Sequence, residues 1–144
     1  MQRSNHKRRH GAGFTLIEVL LVLVILVVIG SIAASTFMGA QEGANEDAAR
    51  TQVGMFTSAI DMYRFHTKHY PEKLEELIDK PSDKTLAERW RGPYLNKSTM
   101  PVDPWDNEYK IAQPGKHNPD TYDVWSMGPD GDDQSDDDIG NWEK

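Results

Sequence analysis

Gly13-Phe14-Thr15-Leu16-Ile17-Glu18 runs into eleven uninterrupted apolar residues, 19–29, and then into Gly30-Ser-Ile-Ala-Ala-Ser-Thr-Phe-Met38. From Phe14 to Met38 the sole charged side chain is Glu18. At about 1.5 Å per residue such a stretch makes roughly 37 Å of helix, enough to cross a hydrocarbon core of about 30 Å with some tilt. Residues 14–38 therefore read as a membrane-spanning helix. Ahead of it, residues 1–13 carry Arg3, Lys7, Arg8 and Arg9 and no acid, a leader at +4, while the remaining 12 basic and 23 acidic residues leave the body at −11. That asymmetry puts the leader in the cytoplasm and the body outside.

The competing reading is a secretory signal peptide cut near Ser31-Ile-Ala33. The apolar run is longer than the usual signal core, and Glu18 stands at its mouth. A carboxylate near the entrance of an apolar helix costs ~1 to 3 kcal/mol depending on depth, so it either snorkels to the headgroups or answers a cation.

The chain has 144 residues, which allows one small domain beyond this helix. An acidic body lacks the clustered Lys and Arg that a grip on nucleic acid needs, so DNA and RNA are excluded as partners. With no Cys, thiolate catalysis, thiolate metal sites and disulfide staples are excluded too. Among candidate metal ligands, His66 and His69 are three apart and could face one side, but no third ligand is placed by spacing. Neither Gly-x-Ser-x-Gly, His-Glu-x-x-His, a phosphate-binding Gly loop nor a dinucleotide fingerprint occurs, and the expectation is a non-enzyme.

Past the span, Val53, Phe56, Ile60 and Tyr63 fall three, four and three apart, on one helical face. The helix is expected to continue to about Phe65, a rod of roughly 78 Å, with Gly39, Gly43 and Gly54 costing about 1 kcal/mol each. Tyr70-Pro71 ends it and Pro71 suits the first turn of a second helix bearing Leu74, Leu77 and Ile78. Residues 79–107, with Pro81, Gly92, Pro93, Pro101 and Pro104, read as a structured loop anchored by Trp90, Tyr94, Leu95 and Trp105. Strand-like runs follow at 108–112 and 121–126, separated by a Gly115/Asn118/Pro119 turn. The fold class is α+β, a long N-terminal helix packed on a small antiparallel sheet. Trp90, Trp105, Trp125 and Trp142, each beside turn residues, read as core anchors.

Six of the nine residues 130–138 are Asp: 130, 132, 133, 136, 137 and 138. Turn residues Gly128-Pro-Asp-Gly131 start this loop and the apolar anchor Ile139-Gly-Asn-Trp142 ends it, so its carboxylates are forced together. A cation is called for, and calcium, which takes six to eight oxygens, fits an oxygen-only set. The EF-hand pattern fails, because the fifth and sixth positions counted from Asp130 are Gln134 and Ser135.

The junction Gly13-Phe-Thr-Leu-Ile-Glu18 resembles the class III signal of type IV pilins and pseudopilins. The resemblance implies that prepilin peptidase cuts between Gly13 and Phe14 and methylates Phe14. It also implies that Glu18, then the fifth residue, pairs with the freed amine of Phe14 on a neighbouring subunit and sets the stagger of a fibre. Where the family often has Pro, this chain has Ser35. Further pieces resemble the major, G-type pseudopilins of type II secretion: Ala59-Ile-Asp-Met-Tyr63, His69-Tyr-Pro71, Gly92-Pro-Tyr-Leu95, Val102-Asp-Pro-Trp105 with Tyr109, Tyr122-Asp-Val-Trp-Ser126, Gly128-Pro-Asp-Gly131 and Asp138-Ile-Gly-Asn-Trp142. The departures are Asp106, where Gly is usual, and a short, very acidic loop.

That resemblance implies a pilin-like fold with a leader at 1–13, a transmembrane assembly helix at 14–38 and an extracytoplasmic globular domain at 39–144. It implies a structural calcium held by Asp130, Asp136 and Asp138 with the Met127 carbonyl, and Asp137 as a further candidate, the choice among 136, 137 and 138 staying open. The implied function is a subunit of the type II secretion pseudopilus, a homo-oligomeric helical fibre that pushes folded proteins across the outer membrane. The implied partners are prepilin peptidase, minor pseudopilins and the inner-membrane secretion platform, with the chain anchored in the inner membrane and its C-terminal domain periplasmic. The alternatives are a type IV pilin or minor pseudopilin, or an anchored periplasmic calcium-binding module or enzyme.

Overall fold

The structure, a computed structural model, describes residues 13–142. Residues 1–12 of the leader, and the side chain of Ser35, lie outside the described residues. Helix α1 spans Leu16–Thr67, 52 residues, and runs through Gly30, Gly39, Gly43 and Gly54. With no Pro before residue 71, nothing removes an intrahelical hydrogen bond, and the glycine cost is spread among strong helix formers. The chain divides into two compact units, one ending at Ala40 and one starting at Gln41, two residues beyond the boundary expected at 39.

In the first unit every large apolar side chain from Phe14 to Met38 is exposed. A helical stretch apolar all round and left uncovered by the described residues needs lipid or neighbours. By length and composition α1 can cross a membrane.

In the second unit α1 buries Val53, Phe56, Ala59, Ile60 and Tyr63, as the spacing predicts. They pack with Tyr70, Leu74, Leu77, Leu95, Tyr109, Tyr122 and Val124 in one cluster. Full burial of a side chain such as Phe56 or Ile60 stabilises by roughly 1.5–3 kcal/mol; the tilted ring pair Phe56–Tyr109 (5.0 Å) joins α1 to the approach to the sheet, and Tyr70–Tyr122 (4.9 Å) joins the segment after α1 to the approach to β2.

Two stretches differ from the sequence reading. The helix expected after Pro71 is a single 3-10 turn, Leu74–Leu77, because its two buried leucines are three apart and the chain then turns to hydrogen-bond Tyr94 N to Leu77 O at 2.7 Å. The supposed loop 79–107 contains helix α2, Lys84–Arg89. Asp83 caps it, its Oδ1 accepting from Leu86 N at 2.9 Å, and that Asp ahead of Leu-Ala-Glu-Arg is the sequence signal for its start.

The sheet has three antiparallel strands in the order β1 Lys110–Ala112, β2 Asp123–Ser126 and β3 Ile139–Gly140. Ile111 faces Val124, and Trp125 faces Gly140. As the central strand, β2 is buried at all four residues. The strand β3 is prolonged by Asn141, which gives its backbone N–H to Val124 O (3.1 Å), accepts Val124 N on Oδ1 (3.0 Å) and donates Nδ2 to Tyr122 O (3.1 Å). A Cβ on Gly140 would lie 2.1 Å from the Trp142 ring, so the Ile-Gly-Asn-Trp order is dictated by strand pairing and ring placement.

Candidate functional site

Two features carry the chemistry: the junction at the start of α1 and the acidic loop after β2. At the junction, Thr15 N donates to Glu18 Oε2 at 3.4 Å while Glu18 N donates to Thr15 Oγ1 at 3.3 Å. This reciprocal pair is a capping box, a feature the sequence reading lacks although the Thr-x-x-Glu spacing signals it. The carboxylate of Glu18 is thus held at the helix N-terminus, where the macrodipole favours an anion. Phe14 beside it is exposed, and Gly13 has no neighbour within 4 Å of a Cβ position.

The acidic loop is built on two glycines at φ +69°, Gly128 and Gly131. A Cβ on Gly128 would sit 2.6 Å from the Asp137 carbonyl oxygen, so the two ends of the loop touch at Gly128. Inside it, Asp130 N donates to Asp137 Oδ2 at 3.2 Å, and Asp130 Oδ1 accepts from Asp132 N at 2.9 Å. The Ser135 hydroxyl lies in reach of three carboxylates: Asp130 Oδ1 at 3.4 Å, Asp138 Oδ1 at 3.5 Å, and Asp137 Oδ1 closest of all. One hydroxyl has one proton to give, so two of these oxygen pairs are left without a hydrogen between them.

Asp138 is buried, and burial pushes its carboxyl above the usual range against the backbone N–H groups of Gln134 and Ser135 that favour the anion. Asp137 is pulled the other way, chiefly by the Ser135 hydroxyl. Asp136 lines a hollow shared with Glu46 and Arg50 of α1, and Asp133 accepts from Trp125 Nε1 at 3.0 Å. Among the described residues no three acidic or imidazole groups are already grouped as a metal cage. The donor set of the loop is all oxygen. Of the residues expected to hold an ion, the structure brings Asp130, Asp137 and Asp138 to one hydroxyl. Asp136 faces the hollow next to them, and Met127 directly follows β2.

Two buried aspartates that sequence reasoning does not single out frame the loop. Asp103 accepts Trp105 N (3.0 Å) and Asn107 N (2.8 Å) on Oδ1, and the Ser126 hydroxyl on Oδ2. Asn107 Nδ2 in turn donates to Gly128 O at 3.3 Å. The turn so formed puts Asp106 at φ 69°, the left-handed geometry that a Gly would adopt there and that Asp tolerates. Asp123 accepts His117 N (2.7 Å) and Nδ1 (3.2 Å) on Oδ2, and Asn118 N (3.0 Å) and Nδ2 (2.8 Å) on Oδ1. Burial alone would raise its carboxyl, but these bonds outweigh it and hold the group below the usual range. His117 also stacks on Trp142, centroids 3.9 Å apart, closing the C-terminal segment over the turn.

Of the two histidines weighed as zinc ligands, His66 has its Nδ1 at 3.2 Å from Tyr94 OH, and His69 contributes its backbone carbonyl, which accepts the Thr67 hydroxyl at 2.9 Å. The core-anchor reading holds for Trp125, which is buried, and for Trp90, packed on the core with its Nε1 donating to Glu76 O at 2.9 Å.

Residues 36–142 match the family "Type II secretion system (T2SS), protein G", and residues 8–34 match the prokaryotic N-terminal methylation motif. The chain is 37% identical over 144 residues to the type II secretion system core protein G of Escherichia coli K12, covering 97% of this chain and 94% of that one. It is 36% identical to the core protein G of Aeromonas hydrophila, covering 94% and 95%, and 35% identical to that of Pseudomonas aeruginosa, covering 95% and 99%. In structure it is similar to the crystal structure of the major pseudopilin from the type 2 secretion system of enterohaemorrhagic Escherichia coli, with a TM-score of 0.62 and 32% identity over 73% of this chain and 92% of that one.

Proposed function

This chain belongs to the protein G family of type II secretion systems, and from that membership we propose that it works as the major pseudopilin, a structural subunit that polymerises into the periplasmic pseudopilus. The observation that carries the reading is the pairing of a first helical stretch, up to Met38, whose large apolar side chains are all exposed with a separately compact second unit of the pseudopilin kind. Such a helix has no use in a free monomer. It serves a chain that sits in the inner membrane and moves from lipid into a bundle of its own copies.

Assembly begins with the cut between Gly13 and Phe14 by prepilin peptidase, which frees and methylates the amine of Phe14. Glu18 then exchanges its capping contact with Thr15 for the ammonium of a neighbour's Phe14, a charge pair far stronger in lipid than in water. Growth of the fibre toward the outer membrane, together with minor pseudopilins and the inner-membrane platform, pushes folded proteins outward. The work is mechanical, and the chain performs no covalent chemistry.

In the acidic loop, calcium would be held by Asp130, Asp137 and Asp138, with Asp136 and the Met127 carbonyl completing an oxygen shell. The ion would supply positive charge where three carboxylates compete for one hydroxyl. These residues then hold the C-terminal strand β3 to β2 and keep the head rigid under load.

Mass spectrometry of the mature N-terminus tests the reading. A chain extracted from membranes and starting at N-methylated Phe14 is expected, whereas a start near Ala34 would make it an ordinary exported protein.

A further inference from the structure

His117 joins three parts of the second unit. It stands in the turn between β1 and β2, and Asp123 of β2 takes both its backbone N–H (2.7 Å) and its Nδ1 (3.2 Å) on Oδ2. Its ring lies flat on that of Trp142, with centroids 3.9 Å apart and planes 12° from parallel. Trp142 directly follows Asn141, the residue that prolongs β3, and its ring folds back over Gly140, 2.1 Å from where a Cβ would stand. A second ring, that of Trp125, is 6.1 Å away. The C-terminal segment is thus fastened by an imidazole that belongs to a different connection of the sheet.

That imidazole has one free choice, its proton count. Asp123 is buried, and its four N–H bonds hold its carboxyl below the usual range, so it stays an anion above the acid limit. A carboxylate can only accept, which makes Nδ1 of His117 the donor and leaves Nε2 as the nitrogen that gains or loses a proton. The side chain of His117 is 42% exposed, so water can deliver this proton while the turn stays closed. Gaining it converts a neutral hydrogen bond into an ion pair with Asp123, and a plain stack into a cation–π contact with Trp142. The other charged groups around the ring are Lys116 beside it and, across a shared hollow, Asp136 and Asp138 of the acidic loop. Lys116 is turned to Gln134, whose Oε1 accepts its Nζ at 3.1 Å.

We propose that His117 and Trp142 form a pH-sensitive latch on the C-terminal segment, tightened when the imidazole takes its second proton and slackened when it gives that proton up. Imidazoles make this change between about pH 5 and 8. Contacts of the charged ring contribute stability that is present at low pH and lost as pH rises. A carboxylate loop that holds a cation behaves in the opposite sense, because protons displace the ion. The two fastenings that flank β3 therefore serve different pH ranges.

The test uses the full chain in detergent, with chelator present so that no cation fills the loop. Nuclear magnetic resonance of the unsubstituted chain, assigned through its backbone, should show the Trp142 indole shifting with the same midpoint as the His117 ring. In denaturant, the rise of the unfolding constant from pH 5.5 to 8 should be about fivefold larger for the unsubstituted chain than for His117→Phe, which keeps a ring on Trp142 but cannot titrate. That is the size of a partly exposed ion pair joined to a cation–π contact. Asp138 is the competing source of such a rise, because burial pushes its carboxyl up. The fivefold difference should persist when both chains carry Asp138→Asn. A Trp142 indole indifferent to the His117 midpoint, equal rises with and without His117, or a difference that vanishes in the Asp138→Asn background would each overturn the latch.

Discussion

Asp103 receives the hydroxyl of Ser126 at 2.6 Å, both side chains buried, and so joins the Asp-Pro-Trp turn to the end of β2 across 23 positions of sequence. The same carboxylate accepts Trp105 N and Asn107 N, and Asn107 reaches on to Gly128 at the start of the acidic loop. Asp103→Ala is expected to lower stability by about 2–4 kcal/mol, since three donors lose a buried acceptor. Asp103→Asn, which keeps one accepting oxygen, should cost less. Thermal unfolding of the two variants side by side checks the order.

Asp123 sets part of the acid limit. Its carboxyl lies below the usual range in the folded chain because the bonds donated by His117 and Asn118 outweigh its burial. A depressed carboxyl contributes stability that is present above its unfolded pKa and lost as pH falls through the lower, folded value. Stability should therefore decline below about pH 4, and Asp123→Asn should flatten that limb while lowering stability at neutral pH. Denaturant midpoints measured from pH 2.5 to 7 report the slope directly.

Glu18→Ala should leave cleavage after Gly13 intact, because the cut lies on the other side of Phe14, yet abolish fibres by removing the partner for a neighbour's amine. Normal fibres from that variant would sink the pairing. Thr15→Val removes one acceptor of the capping box and leaves Glu18 in place. It should weaken assembly less than Glu18→Ala does.

Calcium should invert the effect of substitutions in the acidic loop. Burial raises the Asp138 carboxyl, so without a cation this group contributes stability at low pH that is lost as pH rises through the folded value. In chelator at neutral pH, Asp138→Asn should leave the unfolding temperature unchanged or raise it. In excess calcium the same change, and Asp130→Ala, should lower it. Equal losses with and without chelator would remove the ion from the account.

Two left-handed residues give paired expectations of opposite sign. Gly128→Ala forces a Cβ to within 2.6 Å of the Asp137 carbonyl at φ +69°, and should cost roughly 2 kcal/mol or more. Asp106→Gly relieves an L-residue at φ 69° and should be neutral or stabilising by up to about 1 kcal/mol. Equilibrium unfolding of both variants settles the signs.

Much of this architecture is legible in the sequence because periodicity and punctuation are local. Val53, Phe56, Ile60 and Tyr63 announce the buried face of α1 by spacing alone, and Tyr70-Pro71 announces its end. The helix α2 is hidden among flanking prolines, although Asp83 marks its start. What the residue order does not reveal is which acids point inward. Asp103 and Asp123 look like any other aspartate in a chain with 23 acidic residues, and only the turns that bring backbone N–H groups onto them reveal their role. The strand β3 escapes for a related reason: Asn141 completes its pairing with a side chain, which no strand pattern encodes.

The closures of the head are carboxylate acceptors at Asp103 and Asp123, not covalent links. Bonds of that kind need no oxidant, whereas pairing thiols takes seconds to hours and an oxidant. Maturation of this subunit is thus uncoupled from the oxidative machinery of the compartment. A reducing medium leaves its fastenings untouched.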